Sequence, residues 1–265
     1  MSQLTIIWPI RFFKHHHFDL LGPIRDANYI NALYDAEIRY LDDLIKELDS
    51  FLMELGIYED TFMILFGDHG ESLTEHQIFW DHCGLYDPTV RVPLIMRWPG
   101  SISPQKRVKG QVQQVDLMPT ILDALHLPLP ERMDGKSLWQ TIEGKKSETH
   151  KYVYLSECAW QASRGLRTLD FKLIQTMDAG LFQRPKIELF NLNEDPEETK
   201  NLAEAEPMQV KKNGAFTRAM GQREVKRRTG PNKGSAKKAR VAVQKTDRAN
   251  LGRGWFILGG MAGEP

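Results

Sequence analysis

Residues 61–73, "TFMILFGDHGESL", join a short apolar run to a turn that carries ionisable groups. Seven β-branched and apolar residues from Thr61 to Gly67 have the length and character of a buried strand. The run stops on Gly67-Asp68-His69-Gly70. Glycines end many core segments, so a plain turn is one reading of the motif. An adjacent carboxylate and imidazole at a strand end is the other, because both side chains can reach one cation.

Outward from this stretch the chain keeps an α/β rhythm. Upstream, Ile30, Leu33, Tyr34, Ile38, Leu41, Leu44, Ile45, Leu48, Phe51, Leu52 and Leu55 recur at spacings of three and four, predicting one apolar stripe on a long helix. Asp26 is its expected N-cap and Gly56 its stop. Downstream, "VRVPLIMRWPG" (90–100) predicts a second strand ended by Pro99 and Gly100, and "QQVDLMPTILDALHL" (113–127) predicts a helix. Asp116 is its expected cap, Pro119 falls in its first turn, and Leu117, Ile121, Leu122 and Leu125 would face a sheet. His126 is expected at the helix C-terminus rather than as a ligand. A helix followed by a short apolar strand points to a largely parallel sheet with ligands beyond its strand ends. Past residue 150, "YVYLSE", "RGLRT", "FKLIQT" and "KIELFNL" alternate without intervening helices, which predicts a small antiparallel sheet.

The formal net charge of zero conceals a division. Residues 208–265 hold 14 Lys and Arg against 3 Asp and Glu, and residues 1–207 hold 21 against 32. The basic segment has no sustained period and too few apolar residues to offset the entropy of ordering, so disorder is expected there. Its charge raises a second reading, a non-enzymatic binding protein with a basic anion-binding tail, but a nucleic-acid partner is not expected. Cys83 and Cys158 define neither a disulfide framework nor a Cys-rich zinc site and are expected as free thiols. His15, His16 and His17 diverge in any regular structure, so a local solvated role is expected for them. No apolar stretch is long enough to span a membrane and no signal peptide is recognised, so the expected compartment is cytoplasmic by default.

His82 lies about a dozen residues beyond the Asp-His pair, in "FWDHCGLYDPTVRVPLIMRWPG" (79–100). A loop that leaves one strand end and returns to the sheet can carry it over the same cleft, where it could hold an anion or give a proton to a leaving oxygen. A surface histidine is the competing reading.

The run "FGDHGESLTEHQIFWDHCGLYDPTVRVPLIMRWPG" resembles the sulfatase segment in which an Asp-His-Gly turn is followed by a basic residue and "VPLI…PG". "YINALYDAEIRYLDDLI" is similar to the preceding helix, "VDLMPTILDAL" to the helix after the substrate loop, and "RTLDFKLI…ELFNLNEDPEETKNLAE" to the C-terminal subdomain of that family. The resemblance covers residues 26–207. It implies an α/β fold, a truncated alkaline-phosphatase-like sheet sandwiched by helices with a small antiparallel C-terminal sheet. Residues 1–148 would be the C-terminal portion of the catalytic domain, 149–207 the small subdomain and 208–265 the basic tail.

The resemblance also implies roles. The family hydrolyses sulfate esters with one calcium ion, magnesium being the second choice, and a formylglycine nucleophile. Asp68 and His69 match metal ligands, and His82 matches a basic residue that contacts the sulfate and stabilises charge on the leaving oxygen. The formylglycine motif Cys/Ser-x-Pro-x-Arg does not occur in these 265 residues, nor does the family's Asp-Asp metal pair. The chain is therefore expected to be a fragment, inactive alone. Hydrolysis of phosphate or phosphonate esters, within the same superfamily, is the neighbouring alternative.

Overall fold

Asp26 caps the first helix as expected. Its carboxylate accepts a hydrogen bond of 3.0 Å from the Asn28 N–H, and α1 runs from Ala27 to Glu54. Gly56, with φ of +68°, ends it in a left-handed conformation that costs glycine little. These features come from a computed structural model, which describes residues 26–215 except 132 and 181, together with the two-residue strand Gly260–Met261. The chain divides into two units at Phe62/Met63. In the first, α1 carries its stripe as predicted; Ile30 is buried, while Ile38, Leu41, Leu44, Leu48 and Phe51 are exposed.

The second unit begins with β1 (Met63–Phe66), which pairs with β2 (Leu94–Arg97) from Met63↔Arg97 to Phe66↔Leu94. The pairing is antiparallel, which corrects the expectation of a largely parallel sheet for these two strands. A parallel return needs a crossover of a dozen or more residues that spans the sheet, usually as a helix. Between Phe66 and Leu94 there is only a 3-10 turn (Glu75–Gln77) and α2 (Asp87–Val90), so the chain comes back in the opposite sense. Strand β1 is also less buried than its sequence suggested, since Met63, Ile64 and Leu65 are half-buried and Phe66 is exposed.

β3 (Val112–Gln113) pairs antiparallel with β8 (Gly260–Met261) and leads through a 3-10 turn, Gln114–Asp116, into α3 (Leu117–Ala124). Asp116 does not cap α3 with its side chain. Its buried carboxylate instead accepts from the Gln113 and Lys136 N–H groups and meets His150 Nε2 at 2.8 Å. On α3 the buried residues are Pro119, Thr120 and Ala124, whereas Leu117, Ile121 and Leu122 are half-buried and Leu125 is exposed. His126 sits just past the helix, with φ of +55°. A short helix, α4 (Trp139–Ile142), follows, and Val92, Val112 and Leu138 pack together with Leu94, Met96 and Ile142.

The four predicted C-terminal strands form one antiparallel sheet in sequence order: β4 (Val153–Cys158), β5 (Ala162–Arg167), β6 (Phe171–Asp178) and β7 (Ile187–Asn191). Val153, Leu155, Ile174 and Phe190 from this sheet pack on Ile78, Leu85, Tyr86 and Val90 from the segment that joins β1 to β2. That shared core fixes the joining segment.

An ionic cluster fixes it further. Arg167 and Lys172 stand opposite one another on β5 and β6, a like-charge pair that destabilises a sheet unless an anion lies between. Asp87, at the start of α2, supplies the anion. Arg167 Nε and Nη2 donate to its two oxygens at 3.1 and 2.8 Å, and Lys172 Nζ donates to Oδ1. Lys172, fully buried, also lies 2.7 Å from Glu198 Oε1, an ion contact without the angles of a hydrogen bond, while Glu198 Oε2 accepts from the Asp87 N–H at 2.6 Å.

Residues 207–215 are helical, so the position chosen from charge as the start of the tail falls inside a helix. Of the rest of the expected tail only Gly260–Met261 is described, as the strand paired with β3, and His15, His16 and His17 lie outside the described residues. Cys83 is buried and Cys158 exposed, and both are free thiols. Among the described residues no helix is long and apolar enough to cross a membrane.

Candidate functional site

The turn after β1 is held from three directions. The Gly67 N–H donates to the Pro93 carbonyl and the Gly70 N–H to the Thr89 carbonyl. Gln114 Nε2 donates to the carbonyls of both Gly67 and Asp68, at 2.6 and 2.7 Å. Gly70 is required by space, because a Cβ there would sit 2.0 Å from the Pro88 carbonyl oxygen. The Asp68-His69 pair is thereby presented at the carboxyl end of β1, where the sequence put it.

Within the turn, the His69 N–H donates to Asp68 Oδ1 at 2.9 Å, and this bond, with the nearby His69 and His82, holds the Asp68 carboxyl below its ordinary pKa of 3.8 against a small desolvation. Asp68 Oδ2 lies 3.8 Å from His69 Nε2, and the Asp68 side chain is 88% exposed. His69 Nδ1 lies 2.9 Å from the Gly70 carbonyl, which can accept from it when Nδ1 carries a proton.

His82 returns to this point through a local β-bridge. Ser72 and Asp81 exchange N–H···O bonds of 3.0 and 3.3 Å, closing a loop whose base sets His82 beside the turn. The buried Ser72 hydroxyl reaches the Glu75 and Ile78 carbonyls and keeps the loop shut. The His69 and His82 rings then lie 4.0 Å apart between centroids, tilted by 30°. Glu71 Oε2 is 3.6 Å from His82 Nδ1 and 4.0 Å from His69 Nδ1, both too long for hydrogen bonds. The Glu71 carboxylate is the main cause holding the His82 pKa above its usual 6.5, and half-burial opposes it.

Of the residues singled out from sequence, His69 and His82 are brought together, and Asp68 adjoins His69 while facing solvent. Glu71 and Gln114 were missed. Glu71 lay in the quoted motif, and its position two residues after His69 was the only available signal. For Gln114, 46 residues from Asp68, the sequence offers none. A cavity of about 2040 Å³ runs along β2 and the 98–110 loop, reaching Glu75 and His76, but none of Asp68, His69, Glu71 or His82 lines it. It is not part of this site.

Comparison with known proteins bears on the family and the fold. Residues 20–127 match the family model described as Sulfatase, and residues 74–222 match the one described as N-sulphoglucosamine sulphohydrolase, C-terminal. Arylsulfatase K of Bos taurus is 32% identical over 214 residues, covering 76% of this chain and 39% of that protein. Among solved structures, a phosphonate monoester hydrolase of Agrobacterium radiobacter superposes with a TM-score of 0.62 at 24% identity, covering 75% of this chain and 42% of that one. A protein solved with its substrate D-glucosamine-2-N,6-O-disulfate gives 0.58 at 23% identity, covering 70% and 39%. The chain thus spans about two fifths of the length of the relatives it matches. The motif order, the antiparallel C-terminal sheet and these matches lead to one conclusion: the chain belongs to the sulfatase family and shares the alkaline-phosphatase-like fold of its C-terminal portion.

Proposed function

We propose that the chain carries the metal- and sulfate-contacting part of a hydrolase of sulfate esters. The observation that supports this is the convergence of Asp68, His69 and His82 at the end of β1, inside the segment matched to the Sulfatase model. Asp68 offers an exposed, ionised hard oxygen, one of the six to eight oxygen donors that calcium takes, and the His69 ring nitrogen beside it is a softer donor that calcium takes only as an exception. Asp68 fits such an ion as part of a larger set, with His69 at its edge. When bound, calcium would supply positive charge against the sulfate oxygens.

His82 is the substrate contact and catalytic residue in this reading. Its N–H groups can donate to sulfate oxygens, and the Glu71 carboxylate favours the imidazolium form. A cation held there stabilises the negative charge that grows on the leaving oxygen. Gln114 is a positioning residue, since it grips the carbonyls beneath Asp68 without reaching the ester. Because the 265 residues contain no Cys/Ser-x-Pro-x-Arg from which a formylglycine could form, this chain alone is expected to give negligible turnover.

Binding is therefore the proper test. Calorimetry with 4-nitrophenyl sulfate, with and without calcium, should give weak binding that strengthens with the ion. Asp68→Ala should remove the calcium effect, and His82→Ala should weaken binding about tenfold, the worth of one charge-assisted contact of about 1.5 kcal/mol. Binding that ignores both substitutions would overturn the proposal, and clear preference for 4-nitrophenyl phosphate would move it to the phosphate-ester alternative.

A further inference from the structure

From the cluster itself we infer a second metal chemistry: His69, Glu71 and His82 form a three-ligand site for a divalent transition ion of the zinc class. The three residues each offer one ligand atom, all within 4.8 Å of one another, and they are the group of this kind found among the described residues. Two imidazole nitrogens and one carboxylate oxygen suit zinc, whereas calcium takes hard oxygen donors almost exclusively. The set differs from the Asp68-His69 pair, since it leaves out Asp68 and recruits Glu71 and His82.

Geometry favours this set in three ways. Four-coordinate zinc with bonds of about 2.1 Å places its ligand atoms about 3.4 Å apart, and Glu71 Oε2 already lies 3.6 Å from His82 Nδ1. His69 Nδ1 is the ring nitrogen nearest the set, 4.0 Å from Glu71 Oε2, and its contact with the Gly70 carbonyl orients the ring beside the other two ligands. The backbone beneath the ligands is fixed before any ion arrives. The Ser72–Asp81 bridge ties the segment carrying His82 to the one carrying Glu71, and Gln114 and Gly70 hold the turn that carries His69. With three protein ligands, a fourth position stays open to water or an anion. An ion in this set occupies His82, so zinc would exclude a sulfate ester from that residue.

The inference shares His69 and His82 with the proposed sulfate-ester site but does not rest on that role. Its test is zinc chloride titrated into the metal-free chain by calorimetry, with cobalt chloride as a spectroscopic probe. One equivalent of zinc should bind, and cobalt should give the visible bands of a four-coordinate site. Outer-shell substitutions at metal sites cost 10- to 100-fold in affinity, so Glu71→Gln and His82→Ala, which remove direct ligands, should each weaken binding about a hundredfold or more. Asp68→Ala should leave zinc affinity within about threefold, a change too small for a direct ligand. A variant with alanine at His15, His16 and His17 should bind as the parent does. Absence of binding, binding indifferent to His82→Ala, or binding lost with the three N-terminal histidines would each overturn the inference. Failure of the sulfate proposal reads out separately, as 4-nitrophenyl sulfate binding to the metal-free or calcium-loaded chain that is indifferent to His82→Ala.

Discussion

Replacing Lys172 by methionine keeps the aliphatic stem and removes the charge from the centre of the buried ionic cluster. In the wild type, Lys172 is fully buried between Asp87 and Glu198. Asp87 retains Arg167 in the variant, but Glu198 keeps only the Asp87 N–H. Removing one partner of a buried pair strands the other and costs about 3 to 5 kcal/mol. For a chain of this size, about 2 to 4 °C is lost per kcal/mol, so the midpoint should fall by roughly 6 to 20 °C. Thermal unfolding followed by circular dichroism at pH 7 measures it. Adding Glu198→Gln should return part of the loss, because the stranded charge is gone while the amide oxygen can still accept from the Asp87 N–H, and the two changes should fail to add by about 0.5 to 3 kcal/mol.

The penalty should also depend on pH in a defined sense. Lys172 and Arg167 hold the Asp87 carboxyl well below the usual carboxylate range against the cost of burial. A depressed folded pKa gives stability that is present above the unfolded value near 3.8 and is lost as pH falls through the folded value. Burial, by contrast, raises the Glu198 pKa, so the stranded Glu198 of the variant escapes its cost by taking up a proton in acid. The gap between the two proteins should therefore narrow as pH falls toward 4.5, the ordinary value above which burial raises Glu198. A loss under about 1 kcal/mol at pH 7, the size of an exposed pair, would refute the account of this cluster.

Two further outcomes follow from the loop between β1 and β2. His76 stacks on Tyr86 at 3.7 Å and 7°, and burial first, then Arg184 and Lys172, lower its pKa to about 4. Since the unfolded imidazole takes up a proton near 6.5, stability should be lost as pH falls from about 6.5 through about 4. His76→Phe should flatten that slope in melts at pH 7 and pH 4.5, and equal losses in both proteins would count against the stack. Gln77, exposed with φ of +58°, sits in the left-handed region, and Gln77→Gly should raise stability by about 0.5 to 1 kcal/mol after the greater entropy of unfolded glycine is subtracted; a drop in urea midpoint would oppose this.

Local signals in the sequence were faithful where they depended on neighbours along the chain. The α1 stripe with its Asp26 cap, the turn after β1 and the four alternating strands all follow from spacing and turn chemistry. Pairings between distant residues were not legible. The direction of β2 relative to β1 depends on what the 27 residues between them do, and an apolar run reads the same in either sense. Asp87 meets Arg167 and Lys172 across 80 and 85 positions, and such charges look like solvated surface until strands place them. Asp116 was read as a cap from its position, but its carboxylate is taken up by a histidine 34 residues away. At the site, the sequence located Asp68, His69 and His82 and overlooked Glu71, because a glutamate after a glycine turn passes for an ordinary loop residue.

The most direct test of the central claim is the response of the His82 ring to a sulfate ester. With the imidazoles 15N-labelled and assigned through His82→Ala, 4-nitrophenyl sulfate added to the calcium-loaded chain should shift the His82 nitrogen signals first and furthest, with smaller changes at His69. Saturable shifts at other residues that leave His82 unmoved would contradict the assignment of the sulfate contact.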